Sequence, residues 1–256
     1  MKIQSEELKW YPDKNKKAVL NGITLEFAEG GFYGIIGSNG SGKTSFLRHL
    51  LRFLKVRSGR ILLGEQELAE YKRKELARQM AFVPQNVQMD VDFSVYEVVQ
   101  MGRNPYLGKF ASFRKEDRKM VEEALRLTSC LELQDRKFAQ LSGGEAQRVL
   151  IARAVAQDTK WILLDEPVSG LDVRYQMEMM QMLEWLNREK GKSVIVVLHD
   201  LNLAVRFCSH LVMMKAGKVV AAGKTETVMD LELLQEVYGI AFRCVWDEEQ
   251  RYFFPK

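Results

Sequence analysis

The chain has 256 residues, of which 46% are hydrophobic and 28% are charged. This composition excludes an intrinsically disordered chain, and the length is sufficient for the buried core of one large domain or two small ones. A formal net charge of +4 is too small to indicate nucleic acid binding by itself. The three cysteines lie far apart without a C-x-x-C pattern, which argues against a disulfide framework or a zinc site.

The sequence contains no run that approaches the roughly 18–20 apolar residues needed to cross a bilayer. Its first residues also lack the apolar core of a signal peptide. We therefore expect neither a transmembrane segment nor a signal peptide.

The first third of the chain predicts two strands followed by a strand–loop–helix unit. Strands are predicted at 3–10 and 20–27, the second with clear alternation of apolar residues. A buried strand at 32–36 runs into a glycine-rich segment and then into an apolar helix. A further strand is predicted at 60–64, and a charged helix at 72–80.

Helical patterning takes over from about residue 86 to 160, and α/β alternation resumes after it. The later predicted strands are 161–164, 193–198, 211–214 and 218–222, the last two forming a hairpin, and the predicted helices are 173–189 and 200–208. Continuous apolar strands favour a sheet that is covered on both faces. The sequence is therefore interpreted as one α/β core with a helical insert.

A glycine-rich motif lies between the predicted strand at 32–36 and the helix after it. It matches the pattern G-x-x-x-x-G-K-[ST] and consists of Gly37, Ser38, Asn39, Gly40, Ser41, Gly42, Lys43 and Thr44. In this context, backbone N–H groups and the helix N-terminus surround phosphate oxygens. Lys43 can then reach the β- and γ-phosphates, and the Thr44 hydroxyl can bind Mg²⁺. The alternative is a glycine-rich turn that arose by chance.

Two acidic residues, Asp165 and Glu166, follow the buried strand at 161–164. They lie at the carboxyl end of the strand, the edge at which α/β folds bind ligands. Asp165 suits a Mg²⁺ ligand, and Glu166 suits a base that polarises a water for attack on a γ-phosphate. The alternative is an ordinary strand end followed by a turn.

The segment Leu141-Ser142-Gly143-Gly144 predicts a helix N-terminus with a serine cap. The two glycines leave a surface that can approach a phosphate closely. Taken in isolation, a plain helix cap is the better interpretation of this segment.

The three motifs, in this order, resemble those of the ATP-binding subunit of an ABC transporter, and Leu141–Gly144 matches the signature sequence of that family. The resemblance covers nearly the whole chain. It implies an α/β fold with a P-loop NTPase (RecA-like) core, an N-terminal antiparallel β subdomain and a helical insert subdomain. One nucleotide-binding domain, 1–256, would divide into a core of 1–85 and 160–256 and a helical subdomain of 86–159 that carries the signature.

The resemblance also implies roles for individual residues, with ATP and Mg²⁺ as cofactors. Gln85 matches the Q-loop glutamine, Asp172 the D-loop aspartate and His199 the switch histidine, which is expected to contact the γ-phosphate. Tyr11 matches the aromatic residue that stacks on adenine, with Trp10 as its rival. The implied catalytic residues are Lys43, Gln85, Glu166 and His199; the implied nucleotide contacts are Tyr11, Ser38, Asn39, Gly40, Ser41, Gly42, Lys43, Thr44, Ser45, Ser142, Gly143, Gly144 and Asp172; and the implied Mg²⁺ ligands are Thr44, Gln85 and Asp165.

Members of this family resemble one another in working as head-to-tail dimers. Each ATP is held between the glycine-rich motif of one copy, here Gly37–Thr44 and called the P-loop, and the signature of the other copy. The resemblance therefore implies a second copy of this chain as a partner. It also implies integral-membrane permease subunits, an indirect link to a substrate-binding protein, no nucleic acid, and a peripheral location at the cytoplasmic face of the membrane.

The segment from Met101 to Gly108 is similar to the corresponding part of importers of iron–siderophores, haem and cobalamin, and it is expected to face the membrane subunits. Three alternatives remain: another importer, for a metal ion or a vitamin; a non-transport ABC ATPase; and a kinase of the wider P-loop class. The spacing of 165 − 43 = 122 positions between Lys43 and Asp165 leaves no room for the long coiled coil of DNA-repair relatives.

Overall fold

The structure is a computed structural model that describes residues 1–12, 17–85, 92–108, 112–248 and 250–256. The predicted helical subdomain begins at residue 86, and residues 86–91 lie outside the described residues.

Strands and helices follow one another along the described residues. In the first half they are β1 (Ile3–Trp10), β2 (Leu20–Phe27), β3 (Phe32–Gly37), α1 (Lys43–Leu50), β4 (Ser58–Leu63), β5 (Gln66–Glu67), α2 (Arg73–Ala77), β6 (Met80–Val83), α3 (Val95–Gln100) and α4 (Lys115–Leu127). In the second half they are α5 (Gly143–Ala156), β7 (Trp161–Asp165), α6 (Val173–Arg188), β8 (Ser193–Val197), α7 (Leu201–Phe207), β9 (His210–Lys215), β10 (Lys218–Lys224), α8 (Thr225–Val228), α9 (Leu231–Tyr238), β11 (Phe242–Asp247) and β12 (Gln250–Pro255).

The described chain forms two compact units, one of Met1–Tyr71 with Ser193–Lys256 and the other of Lys72–Lys192. The helical subdomain predicted at 86–159 falls within the second range, and its boundaries stay a prediction. No helix of the described residues is both long enough and apolar enough to cross a membrane.

The first unit contains two runs of paired strands. An antiparallel sheet has the order β2-β1-β4-β5, in which Ile3 pairs with Phe27 on one side and with Leu63 on the other. The second run has the order β10-β9-β3-β8, and β3 is parallel to both β8 and β9. The predicted combination of an antiparallel β subdomain and a P-loop NTPase core is confirmed.

The core of the first unit is built on strands that are buried along their whole length. Every residue of β3 and β8 is buried, as expected for parallel strands that are covered on both faces. The rings of Phe27 on β2 and Phe46 on α1 are both buried, with centroids 6.2 Å apart. Each buried phenylalanine stabilises the fold by about 1.5–3 kcal/mol relative to an exposed one. These contacts fix α1, and therefore the loop before it, against the sheets.

The second unit combines the parallel pair β6–β7 with the helices α3, α4 and α5, which pack on one another. Trp161 at the start of β7 is fully buried and pairs with Met80 at the start of β6. The strand β6 corrects the sequence prediction of a helix over 72–80, because the helix ends at Ala77. Met80 and Val83 are buried in β6, and their pairing with β7 favours a strand at Met80, where the sequence pattern predicted the last residue of the helix.

A buried ion pair lies inside the segment that resembles the iron–siderophore branch. Arg103 Nε donates to Asp117 Oδ1 at 2.9 Å, and its Nη1 donates to the carbonyl of Ala156 at 2.9 Å. Burial raises the pKa of Asp117, but hydrogen bonds from the Arg114 N–H and from Arg103 outweigh it and lower that pKa overall. A Cβ on Gly102 would lie 2.3 Å from the carbonyl oxygen of Arg153. The Gly-Arg pair of this segment therefore packs the helices together.

The C-terminal part contains elements that the sequence analysis did not predict, namely α8, α9 and the hairpin of β11 and β12. Asn202 on α7 holds the hairpin through two hydrogen bonds. Its Nδ2 donates to the carbonyl of Phe253 at 3.3 Å, and its Oδ1 accepts from the N–H of the same residue at 2.8 Å.

Candidate active site

The glycine-rich motif forms the loop between β3 and α1, as the sequence predicts. Gly37 ends β3 with φ 143°, and a Cβ there would lie 2.1 Å from the carbonyl oxygen of Met214. Gly42 is the N-cap of α1 with φ 101°, and it has no side chain with which to cap the helix. The first turn of α1 also contains no acidic residue. This helix N-terminus therefore keeps its positive partial charge for an anion.

Lys43 lies over this loop, because its side chain turns back toward the start of the motif. Its Nζ donates to the carbonyls of Gly37 at 2.8 Å and Ser38 at 3.1 Å, and the residue is 5% exposed. Ser41 is 1% exposed, and its Oγ has no hydrogen-bond partner among the described residues. A buried ammonium and an unsatisfied buried hydroxyl in one loop fit a ligand with several anionic oxygens.

The outer part of the motif is more open. Asn39 and Gly40 are exposed, while Ser38, Thr44 and Ser45 are half-buried. The carbonyl of Ser45 lies 2.7 Å from Nδ1 of the buried His49 one turn later. Burial lowers the pKa of His49, so this histidine packs in its neutral form at neutral pH.

His199 lies two residues beyond the end of β8, at the carboxyl edge of the parallel strands. In the pairing of β3 with β8, Ile35 lies opposite Val197, so Gly37 and His199 are each two positions past the same pair. His199 is exposed, and the next residue, Asp200, caps α7 by accepting from the N–H groups of Asn202 at 2.7 Å and Leu203 at 3.0 Å. The histidine is therefore held at the edge where the P-loop begins.

The two aromatic residues at the end of β1 make different contacts. Trp10 packs edge-on against His49, with ring centroids 5.3 Å apart. Tyr11 is half-buried, and the guanidinium of Arg57 lies 5.1 Å from the centroid of its ring.

The second unit brings together two of the predicted catalytic residues. The Nε2 of Gln85, just after β6, donates to Oε2 of Glu166 at 2.6 Å. Asp165, the last residue of β7, is 3% exposed. Glu166 has φ 48°, a left-handed conformation that a glutamate rarely adopts and that costs about 1–3 kcal/mol. Such strain is typical of functional sites, because the surrounding structure must hold the residue in place.

The predicted signature helix is α5, which begins directly after Ser142. The Oγ of Ser142 accepts from the N–H of Glu145, and a carboxylate oxygen of Glu145 accepts from the N–H of Ser142 at 2.8 Å. This reciprocal capping box lowers the pKa of Glu145, mainly through the hydrogen bond from the Ser142 backbone. Gly143 is exposed, and a Cβ on it would meet nothing within 4 Å.

The predicted D-loop is tied to the start of α6. Asp172 caps this helix by accepting from the N–H of Tyr175 at 3.0 Å. The side-chain amide of Gln176 donates to the carbonyls of Val168 at 3.3 Å and Leu171 at 3.0 Å. The side chain of Gln176 therefore fixes the D-loop backbone at two positions, Val168 and Leu171.

Tyr175 connects this loop with the signature helix. The guanidinium of Arg148 on α5 lies 5.0 Å from the centroid of the Tyr175 ring. A Cβ on Gly144 would lie 3.7 Å from Leu171 and 3.8 Å from Tyr175. The sequence analysis did not identify Gln176, Tyr175 and Arg57. Their contacts with the D-loop, the signature helix and Tyr11 join separate segments of the chain, and no local motif predicts them.

Within each unit, the structure thus groups the predicted residues as the motifs suggest. The first unit carries the P-loop with His199 and Tyr11, and the second carries Gln85, Asp165 and Glu166 with the signature and the D-loop. The gathering of both sets around one nucleotide stays a prediction.

A phosphate-binding loop between a parallel strand and a helix, together with carboxylates at the end of a buried strand, defines a P-loop nucleoside triphosphatase. Residues 20–169 match the family described as ABC transporter, and the chain belongs to this family. It is accordingly an ATP-binding ATPase.

Named relatives are similar over most of the chain. Ferric enterobactin transport ATP-binding protein FepC of Escherichia coli (strain K12) is 40% identical over 230 residues, which cover 90% of this chain and 84% of that protein. Probable siderophore transport system ATP-binding protein YusV of Bacillus subtilis (strain 168) is 38% identical over 229 residues, which cover 90% of this chain and 83% of that protein.

Solved structures have the same fold. A chain of an inward-facing ABC transporter assigned to the metal-chelate type has a TM-score of 0.86 at 26% identity, with 99% of this chain and 97% of that chain covered. The dimeric structure of the bacterial ABC transporter cassette MJ0796 has a TM-score of 0.77 at 31% identity, with 87% of this chain and 98% of that chain covered.

Proposed function

We propose that this chain is the ATP-hydrolysing subunit of an ABC importer that takes up an iron chelate such as a ferric siderophore, with haem and cobalamin as the alternative substrates. Relatives named for ferric enterobactin and siderophore transport support the iron chelate. The observation that carries the catalytic part is the hydrogen bond of 2.6 Å between Gln85 and Glu166, since it joins two predicted catalytic groups.

The chemistry assigned to these residues is in-line attack of water on the γ-phosphate, in which the bond from the γ-phosphorus to the β–γ bridging oxygen breaks and ADP leaves. Glu166 accepts a proton from the water through its carboxylate, while Gln85 holds that carboxylate by donating from Nε2. Lys43 neutralises charge that develops on the phosphate oxygens, because its ammonium lies buried in the P-loop. His199 contacts the γ-phosphate from the edge of β8.

Mg²⁺ fits the oxygen donors that the chain offers. Mg²⁺ usually keeps several waters and binds through one or two protein ligands and the phosphates of its substrate. The carboxylate of Asp165, the buried last residue of β7, is suited to be such a ligand. We assign Thr44, Asp165 and Gln85 as its ligands, and the ion would add electrostatic stabilisation of the phosphate oxygens.

The proposed assembly is a head-to-tail dimer of two copies docked on integral-membrane permease subunits at the cytoplasmic face of the membrane. The dimeric MJ0796 cassette supports pairing of two such domains. The open Gly143 surface of the signature is then the contact for the nucleotide bound by the other copy. A substrate-binding protein would deliver the iron chelate to the permease.

The change Glu166→Gln tests the catalytic assignment. It keeps the size of the side chain but removes the base, so we expect steady-state ATP hydrolysis to fall by about 10²–10⁴-fold with little change in ATP affinity. Glu65→Gln, at an exposed position outside the site, is the matched control. A hydrolysis rate near that of the unmodified chain would exclude Glu166 as the base.

Reconstitution in vesicles tests the importer assignment. We expect permeases for ferric siderophores to stimulate the ATPase activity several-fold, and permeases of an unrelated importer to leave it unchanged. Stimulation by the unrelated permease alone would contradict the iron-chelate assignment while leaving the ATPase assignment intact.

A further inference from the structure

We propose that Arg57 is a positioning residue for the nucleotide base. It holds the ring of Tyr11 by one face and thereby presents the other face to the adenine. This inference rests on the proposed function of the chain, in which Tyr11 stacks on the base.

Two contacts fix Arg57 at the end of β1. Its guanidinium carbon lies 5.1 Å from the centroid of the Tyr11 ring, within the distance of a cation–π contact. Its Nη2 also donates to the carbonyl of Pro12 at 3.1 Å. Strand pairing explains why Arg57 lies close to Tyr11 and Pro12, because Lys9 of β1 lies opposite Ser58 of β4, the residue after Arg57. One side chain thus holds both the ring and the backbone that follows it.

The neighbouring Trp10 has a different role. The Trp10 ring packs edge-on against His49, with the ring centroids 5.3 Å apart. His49 is fully buried on α1, so Trp10 contributes to the packing between β1 and that helix. Tyr11 is half-buried, as Trp10 is, but the guanidinium of Arg57 lies over its ring. Of the two rivals, Tyr11 is therefore the ring prepared for a base.

The benefit of this arrangement is preorganisation. A tyrosine that must be ordered when the ligand binds reduces affinity, because its rotamer freedom is lost at that moment. A ring that Arg57 already orients does not incur this loss, and removal of the guanidinium should weaken binding by about 2- to 10-fold. The phosphate groups bind at the P-loop and should not sense the change.

The test compares two ligands on the full chain, ATP and inorganic triphosphate, with dissociation constants measured by calorimetry. We expect Arg57→Ala to weaken ATP binding by about 2- to 10-fold and to leave inorganic triphosphate unchanged, because only ATP has a base. Arg60→Ala is the matched control, since Arg60 is also exposed, lies three residues later and pairs with Glu6 at 2.7 Å. It should change neither constant.

The change Tyr11→Ala completes a double-mutant cycle. We expect Tyr11→Ala to weaken ATP binding and Arg57→Ala to add nothing in that background, because the guanidinium acts through the ring. If Tyr11→Ala alone has no effect, the stacking role fails and the inference fails with it.

If Tyr11→Ala weakens ATP binding but Arg57→Ala does not, the inference about Arg57 fails while the proposed stacking role stands. Equal weakening of ATP and inorganic triphosphate by Arg57→Ala would also overturn it, since Arg57 would then act on phosphate or on the fold. Tighter ATP binding by the Arg57→Ala variant would mean that the guanidinium competes with the base for the Tyr11 ring, and this result would also overturn the inference.

Discussion

The helices α1 and α5 both have glycines at their N-termini, before the first turn of α1 and within that of α5, but their first turns differ in capping and in charge. At α1 the N-cap is Gly42, and the cation of Lys43 lies beside it. At α5 the N-cap is Ser142, and the carboxylate of Glu145 accepts from the backbone N–H of Ser142. The first terminus is therefore ready to receive an anion, whereas the second already carries one of its own.

This difference shows why two glycine-rich helix starts need not have the same function. An N-terminus binds phosphate well when its N–H groups lack a partner and a positive charge lies near them. At α5 the Ser142 hydroxyl accepts from the Glu145 N–H, and the carboxylate of Glu145, which Arg136 pairs at 3.2 Å, places a negative charge beside the terminus. We therefore expect this terminus to contact phosphate mainly when another site neutralises the ligand. A P-loop from a second copy is such a site. The capping of α5 thus supports the proposal that the signature acts across a dimer.

The largest expected effect comes from the cationic terminus. Lys43→Ala removes the ammonium that lies in the P-loop, and we expect hydrolysis to fall by about 10²–10³-fold, with weaker ATP binding. ATPase assays and nucleotide titrations would measure both. Lys218→Ala, at an exposed position on β10, is the control, and it should behave as the unmodified chain. Unchanged ATP affinity in the Lys43 variant would refute the phosphate contact.

A mixture of two inactive variants tests whether the signature acts in trans. Lys43→Ala and Ser142→Arg should each be inactive alone, the first without a P-loop cation and the second with a blocked signature. In a mixed dimer one complete site remains, so an equal mixture should recover about a quarter of the normal activity if the two sites act independently.

The chain that carries both substitutions is the control for this mixture, and it should recover nothing when it is added to either single variant. An equal mixture that stays inactive, although the two variants form mixed dimers, would count against a composite site.

The smallest expected effect concerns the pH dependence of the capped terminus. The lowered pKa of Glu145 means that its carboxylate stabilises the fold at pH values above its unfolded-state pKa of about 4.5. This stabilisation is lost as the pH falls through the folded-state pKa. Glu145→Gln keeps the capping geometry but not the charge, so it should reduce stability by less than about 1 kcal/mol at pH 7, and this difference should diminish as the pH falls through the folded-state pKa.

Chemical unfolding of both chains across this pH range would measure the difference. Glu132→Gln provides the control, because Glu132 is exposed in the short turn after α4 and has no capping role in the structure. A destabilisation by Glu145→Gln that stays constant from pH 7 to pH 3 would show that packing, and not charge, is responsible.

The fold class could be predicted from the sequence because its strongest signals are local. The P-loop requires glycines at fixed places, and Gly37 has no space for a side chain against Met214. The buried strands β3, β7 and β8 consist mostly of apolar residues in short runs of the sequence. These features depend on neighbouring residues, so a pattern of spacing is enough to identify them.

Other features could not be predicted, since they depend on contacts between distant residues. The strand β6 forms because β7 lies beside it, although the residues before it have a helical pattern. Arg103 was expected in a surface that faces partner subunits, but its guanidinium lies beside Asp117 in the interior of the second unit. Nothing in the local sequence shows that Gln176 holds the backbone of the D-loop.

The backbone of Glu166 has a consequence for attempts to engineer the protein. Its left-handed conformation suits glycine or asparagine better than glutamate. A stabilisation procedure that chooses residues by backbone preference alone would therefore select position 166 for replacement. Since Glu166 is the proposed catalytic base, we expect such a variant to be more stable and to hydrolyse ATP more slowly.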